Sequence, residues 1–160
     1  MKKLVSMLFM ATLVSLMICS CDDNKDEPVT PVAQQLESEH GEANDTYLIY
    51  DIDMDKDSST IYVYNVVFTM GDVSSKPLSI SINAPCSVDK SGKVFSFAGT
   101  DIVPNLLRGT TPVPITSLRV NNFTSSVNVE KKTYSISFDC QGTVIGKTID
   151  GHYDKQGNLK

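Results

Sequence analysis

From Thr46 to the C-terminus, the apolar residues of this chain recur at every second position. Leu48, Tyr50, Ile52 and Met54 fall on one face of a strand, and Asp51, Asp53 and Asp55 on the other. Leu78, Ile80, Ile82 and Ala84 alternate with Ser79, Ser81 and Asn83. Tyr134, Ile136, Phe138 and Cys140 alternate with Ser135, Ser137, Asp139 and Gln141. Period two is the repeat of an extended strand with one face on a core, and no segment after Thr46 carries the 3.6-residue stripe of an amphipathic helix. The constraint is severe, because a slip of one residue exchanges a strand's apolar set for its polar set. An all-β, antiparallel fold is therefore predicted.

The rest of that region follows the same rule. Lys56-Asp57-Ser58-Ser59 is turn chemistry, so Tyr47–Met70 reads as a long hairpin. Its second half, Ile61-Tyr62-Val63-Tyr64-Asn65-Val66-Val67-Phe68, is apolar on both faces except at Asn65. Either this strand is central, or its second face meets a ligand or a partner. Further strands are expected at Val94–Ala98, Ile115–Val120, Ser126–Val129 and Thr143–Tyr153, the last bent or bulged at Gly146 and Gly151. Glu130-Lys131-Lys132 is a hairpin tip. Residues 99–114 hold two Gly and three Pro and read as a long irregular connection. About eight strands with polar turns fit a small barrel or a half-open sandwich. Closure abolishes sheet edges and favours the barrel.

The N-terminus is different in kind. Lys2 and Lys3 precede an apolar run from Leu4 to Ile18, broken only by Ser6, Thr12 and Ser15. A comfortable membrane span needs about 20 apolar residues, whereas this run has the length of a signal-peptide core. It ends in Leu16-Met17-Ile18-Cys19-Ser20-Cys21, which resembles the lipobox of bacterial lipoproteins. Small Ser20 precedes Cys21, whereas bulky Ile18 precedes Cys19. The resemblance therefore implies a signal peptide over residues 1–20 and lipidation at Cys21. Several palmitate-type acyl chains on one residue, at roughly 0.8 kcal/mol per buried CH₂, would make a durable anchor. The alternatives are an ordinary cleaved secretory signal and, further off, a membrane span. The acidic run Asp22-Asp23-Asn24-Lys25-Asp26-Glu27-Pro28 resembles the export signal of surface-displayed lipoproteins of Bacteroidetes. It implies a lipid-anchored protein of the outer membrane, on the cell surface. A solvated spacer on the periplasmic face is the alternative.

Residues 21–44 have few apolar residues and no aromatic one, a composition that cannot offset its ordering entropy. They read as a flexible acidic tether, with a short helix over residues 32–39 as a weaker option, and the domain proper as 45–160. The chain has 14 Lys and Arg against 19 Asp and Glu, a net charge of −5. From Cys21 to Asp55 there are eleven acidic residues and one Lys, while the remainder is mildly basic. No Lys/Arg cluster marks a nucleic-acid footprint, and no nucleic-acid partner is expected.

The alternation in Ile61–Phe68, the Leu78–Ala84 strand and the closing Gly146-Lys147-Thr148-Ile149-Asp150-Gly151-His152-Tyr153 resemble the small calycin-like (lipocalin-like) lipoproteins of Bacteroidetes. The likeness spans most of Thr46–Tyr153 and lies in pattern. The chain has no Trp, so the Gly-x-Trp signature of true lipocalins is missing, and the resemblance implies a fold rather than an inherited ligand.

Candidate chemistry is sparse. Asp51, Asp53, Asp55 and Asp57 invite a calcium loop, but Lys56 and Tyr62 stand where an EF-hand needs Gly and Glu. A solvated strand face is the simpler reading. Cys86 and Cys140 are the remaining thiols of the domain, and two readings stand: a disulfide in an oxidising compartment, or two buried free thiols. His152 is the one base candidate in the domain and reads as an ordinary surface or rim residue. No nucleophile elbow, phosphate loop or metal-binding His pair is present in the sequence, so no enzyme, metal or cofactor is expected. Tyr62, Tyr64, Val66 and Phe68 fall on one aromatic-rich face at strict period two. Tyr62 and Tyr64 are the candidate contacts to a glycan, a small apolar ligand or a protein partner; the simpler reading makes them core. The expected function is a non-enzymatic binding module or an accessory of an uptake complex. The alternative is a structural or inhibitory lipoprotein acting through protein contacts alone.

Overall fold

The computed structural model describes residues 33–70, 73–108, 111–144 and 146–160. The expected signal peptide, the expected lipidation site Cys21 and the acidic run, all within residues 1–32, lie outside the described residues. In chain order the strands are β1 (Ala33–Glu37), β2 (Tyr47–Asp53), β3 (Ser59–Val66), β4 (Thr69–Met70), β5 (Val73–Ser74), β6 (Leu78–Ala84), β7 (Cys86–Val88), β8 (Val94–Gly99), β9 (Asn105–Arg108), β10 (Thr111–Pro114), β11 (Leu118–Asn128), β12 (Thr133–Val144) and β13 (Lys147–Asn158). No helix occurs among the described residues.

Eleven of these strands make two antiparallel sheets. One runs β1-β2-β3-β6-β9-β10, the other β13-β12-β11-β8-β7, and β4 and β5 form a separate ribbon. Their apolar faces meet in one core. Leu48, Tyr50, Ile52, Ile61, Val63, Ile80 and Ile82 of the first sheet face Phe95, Phe97, Phe123, Val127, Ile136, Phe138 and Cys140 of the second, all 2% exposed or less. Aromatic side chains fill the interior: Tyr50, Phe68, Phe95, Phe123 and Phe138 are all fully buried.

The sheets are joined at corners and not closed into a barrel. At Pro85 the chain leaves β6 in the first sheet and enters β7 in the second, as befits a residue that cannot donate to a ladder. Past β8, Ile102 bridges to Val120 before the chain returns to the first sheet as β9. Ser38 bridges to Leu159, and Glu39 N–H donates to the Asn158 carbonyl at 2.8 Å. Among the described residues, β10 and β7 end their sheets without pairing to each other. The half-open sandwich therefore holds, while the barrel and the count of eight strands are corrected.

Three boundaries also move. Ala33–Glu37 is neither tether nor helix: it adds to the edge of the first sheet, with Leu36 opposite Tyr50. The domain thus begins by residue 33 at the latest. Inside the 99–114 connection, β9 and β10 form a short hairpin whose outer strand carries Pro112 and Pro114. The two strands expected over 115–129 are one long strand, β11, broken in register between Asn121 and Thr124. Asn122 there adopts φ 49°, a left-handed conformation that Asn tolerates better than most residues.

Candidate functional site

The one polar residue in the Ile61–Phe68 run decides which side chains reach solvent. Asn65 has φ 55°, and the β3–β6 register shifts between Val63 and Val66. This bulge reverses the alternation. Val66 and Phe68 turn inward and are buried, Val67 turns out at 44% exposure, and Tyr62 and Tyr64 remain half-buried on the outer face. Strict period two, which groups Val66 and Phe68 with the tyrosines, is corrected by that bulge. The reading of Tyr62 and Tyr64 as core is set aside as well.

Tyr62 and Tyr64 belong to a ridge of rings across the outer face. Tyr47 lies opposite Tyr64 in the β2–β3 register; their rings stack at 4.5 Å between centroids and 7° between planes. His40 continues the stack on Tyr47 at 4.5 Å and 28°, and Tyr62 flanks Tyr64 at 6.4 Å. Cross-strand aromatic pairs of this kind contribute about 0.5–1.5 kcal/mol beyond their area. Burial, then the neighbouring phenols of Tyr47 and Tyr62, raise the Tyr64 hydroxyl above its ordinary value. Tyr50, on the apolar face of its strand, lies in the core, with its hydroxyl 3.0 Å from Ser125 Oγ.

The bulge residue also shapes the end of the ridge. Asn65 Nδ2 donates to the carbonyls of Ala43 (3.2 Å) and Asp45 (3.1 Å). Thr46 Oγ1 donates back to the Asn65 carbonyl at 3.0 Å. The Gly41–Asp45 turn, capped by Asp45 Oδ2 at Gly41 and Glu42 N–H, is thereby held beside Tyr47 and Tyr64. His40 Nε2 lies 3.1 Å from Glu37 Oε1 and 3.2 Å from Lys160 Nζ, and Lys160 Nζ reaches Glu37 Oε1 at 2.6 Å. Lys160, and after it His40, hold the Glu37 carboxyl below its ordinary range.

The other candidates separate. Asp53 is a turn cap: Oδ1 accepts from Asp55 N–H at 3.1 Å and Oδ2 pairs with Lys56 at 2.6 Å. No group of three metal-ligating side chains occurs among the described residues. Cys86 and Cys140 are free thiols. They sit on β7 and β12, which are separated by β8 and β11 in one sheet. Three strand spacings amount to about 14 Å, twice the reach of a disulfide's Cα pair, and the disulfide reading is corrected on that ground.

His152 is placed better than the sequence suggests. Its Nδ1 lies 2.8 Å from Asp139 Oδ1, and Asn122 Nδ2 donates to Asp139 Oδ2 at 2.7 Å. Asn122 first, then His152, keep the Asp139 carboxyl below its ordinary range. Ser137 Oγ is 3.5 Å from His152 Nε2. The order Ser–His–Asp is that of a hydrolytic triad, but the first contact is at the limit of a hydrogen bond. Ser137 also sits on a strand laddered on both sides, opposite Thr124 and Asp154. Its neighbouring backbone N–H groups are committed to those ladders and do not converge on an oxyanion. What the arrangement does is clamp β13 to β12 and β11.

A second surface feature was not legible in the sequence. The β9–β10 hairpin, which extends the first sheet past β6, forms one wall of an open groove of about 450 Å³. Leu78, Leu106, Val113, Pro114 and Ile115 line it. Its signal was the apolar pairs Leu106-Leu107 and Val113–Ile115, hidden among the glycines and prolines of 99–114.

Comparison of the chain with models of protein families, with curated proteins and with solved structures gives no match.

Proposed function

We propose that this chain is a lipid-anchored lipoprotein of the outer-membrane surface whose β-sandwich is a non-enzymatic binding module, serving a protein partner such as an uptake complex. The observation that carries the reading is where the aromatic residues are. The interior is filled by side chains, so a binding surface must be sought outside, and His40, Tyr47, Tyr64 and Tyr62 form a continuous outer ridge. Because these rings stack on one another, their inner faces are occupied. A glycan needs a free ring face to lie on. The ridge offers ring edges and phenolic hydroxyls instead, which suit a protein surface, where tyrosine is enriched.

Support for the anchor is the lipobox-like stretch ending at Cys21. Eleven residues separate Cys21 from β1, a stretch that spans at most about 40 Å when extended. Kinship with calycin-like lipoproteins belongs to the same proposal. What supports that kinship is the all-β, antiparallel architecture, in which the chain passes from one sheet to the other at Pro85 and Ser38 bridges to Leu159.

The test is made on intact cells. The double variant Tyr62→Ala/Tyr64→Ala should lose chemical cross-links to its outer-membrane partner while its surface level and melting temperature stay near those of the parent. Cross-links that persist count against the ridge; a collapsed melting temperature shows that the tyrosines are structural. In parallel, Cys21→Ala should abolish acyl labelling, and labelling that survives would move the anchor to Cys19 or remove it.

A further inference from the structure

We infer that the groove walled by the β9–β10 hairpin is a binding site for a single-chain anionic amphiphile, its tail along Leu78, Leu106 and Val113 and its carboxylate at Arg108. Strand register builds the apolar wall. Val66 is buried and pairs with Leu78; Ile80 is buried and pairs with Leu106; Leu106 in turn pairs with Val113. Leu78, Leu106 and Val113 therefore share the inner face of the first sheet. Toward β3 that face is buried at Val66 and Ile80, whereas at β10 it is open: Val113 is 50% exposed, and Ile115 and Ser117 complete the groove lining. The volume of about 450 Å³ lies within the range of small-molecule sites.

Charge selects the occupant. Arg108 is two residues beyond Leu106 and so points to the same side at the hairpin tip, and it is the one charged residue lining the groove. Among the described residues no carboxylate pairs with it. An apolar trough ending in one guanidinium matches a chain with a carboxylate at its end, since a guanidinium binds a carboxylate bidentately. The edge of β10 does not favour an added peptide strand, because Pro112 and Pro114 supply no N–H donors.

The test is calorimetric titration of residues 21–160 carrying Cys21→Ser, a span that holds every strand of the domain, with octanoate, decanoate and dodecanoate below their micellar concentrations. Affinity should rise with length by up to about fourfold per methylene, the factor equivalent to one buried CH₂. Arg108→Gln should weaken dodecanoate about tenfold and leave dodecanol unchanged. Val113→Asp should abolish binding of both, and Tyr62→Ala/Tyr64→Ala should affect neither. Arg108 and Val113 are exposed, and circular dichroism of each variant is expected to match the parent. Absence of saturable binding, equal affinity in Val113→Asp, or an Arg108→Gln effect that is nil or common to acid and alcohol would each overturn the assignment. So would binding seen only to phosphatidylglycerol vesicles and not to the monomeric acids, which would make the groove a membrane contact.

Discussion

Replacing Tyr50 by Phe removes one oxygen from the centre of the sandwich, and the hydrogen-bond geometry sets the cost. Ser125 Oγ donates to the Ser135 carbonyl at 2.7 Å. Its proton is thereby committed, so the Tyr50 hydroxyl, 3.0 Å away, is the donor between the two. Tyr50→Phe removes that donor and leaves Ser125 still bonded. The net loss is that of one intramolecular hydrogen bond, about 1 kcal/mol, or roughly 3–6 °C in melting temperature for a domain of this size. Ser125→Ala is the harsher change. It strands a fully buried phenol without a partner and takes a donor from Ser135, at about 1–3 kcal/mol. Once Ser125 is gone, removing the Tyr50 hydroxyl relieves the stranded group, so the double variant should cost less than the two singles together by about 1 kcal/mol. Urea unfolding of the four proteins measures all three quantities. Additivity within about 0.3 kcal/mol, or a Tyr50→Phe cost exceeding that of Ser125→Ala, would refute the donor assignment.

Gly142 has φ 144°, and a Cβ there would stand 2.0 Å from the Ser117 carbonyl oxygen; Gly142→Ala should cost about 3 kcal/mol or more in urea unfolding, and a tolerated alanine would show that β11 does not approach so closely. Asp89 is held at about 2 against an ordinary 3.8, first by Ser91 Oγ and then by backbone N–H groups of the 89–94 turn. Its contribution to stability is present above pH 3.8 and is lost as pH falls through about 2. Asp89→Asn should therefore flatten the acid side of the melting-temperature profile over that window, and an unchanged slope would count against the cap. Cys86 and Cys140 should both titrate in the unfolded, unreduced domain. In the folded domain Cys86 should react faster than Cys140: burial raises both thiols, but Cys86 is half-buried whereas Cys140 is fully buried and pushed up to about 12; a single or absent thiol on unfolding would restore the disulfide.

Much of the core was legible because one-sided burial leaves a period-two trace. Leu48, Tyr50 and Ile52, Ile80 and Ile82, and Ile136 and Phe138 all point where alternation sends them. The departures have local causes. At Asn65 and Asn122 a left-handed residue inserts an extra position, after which counting by two selects the wrong face, and Asn in each run was the available signal. Ala33–Glu37 and Asp154–Asn158 pair at sheet edges, where neighbours on one side suffice and composition stays polar. The candidate site was legible in residue type and not in arrangement. Tyr62 and Tyr64 could be named, but the ring stack depends on Tyr47 and His40 arriving from other segments. The Asp139–His152 contact depends on a cross-strand register that no short motif encodes.

The placement of β1 has a mechanical consequence. The chain enters the first sheet at Ala33, beside Asp53, and the Tyr47–Tyr64 pair lies toward the opposite end of the same strands. A pull between an N-terminal anchor and a partner on the ridge therefore runs along the strand axes. It loads the Ala33-to-Glu37 ladder in shear, so that its hydrogen bonds must fail together rather than unzip one at a time. Tension of this kind would also draw on Ser38, whose backbone N–H and side-chain oxygen are both bonded to Leu48. With the proposed anchor and partner in place, such a domain would be tugged without shedding its first strand.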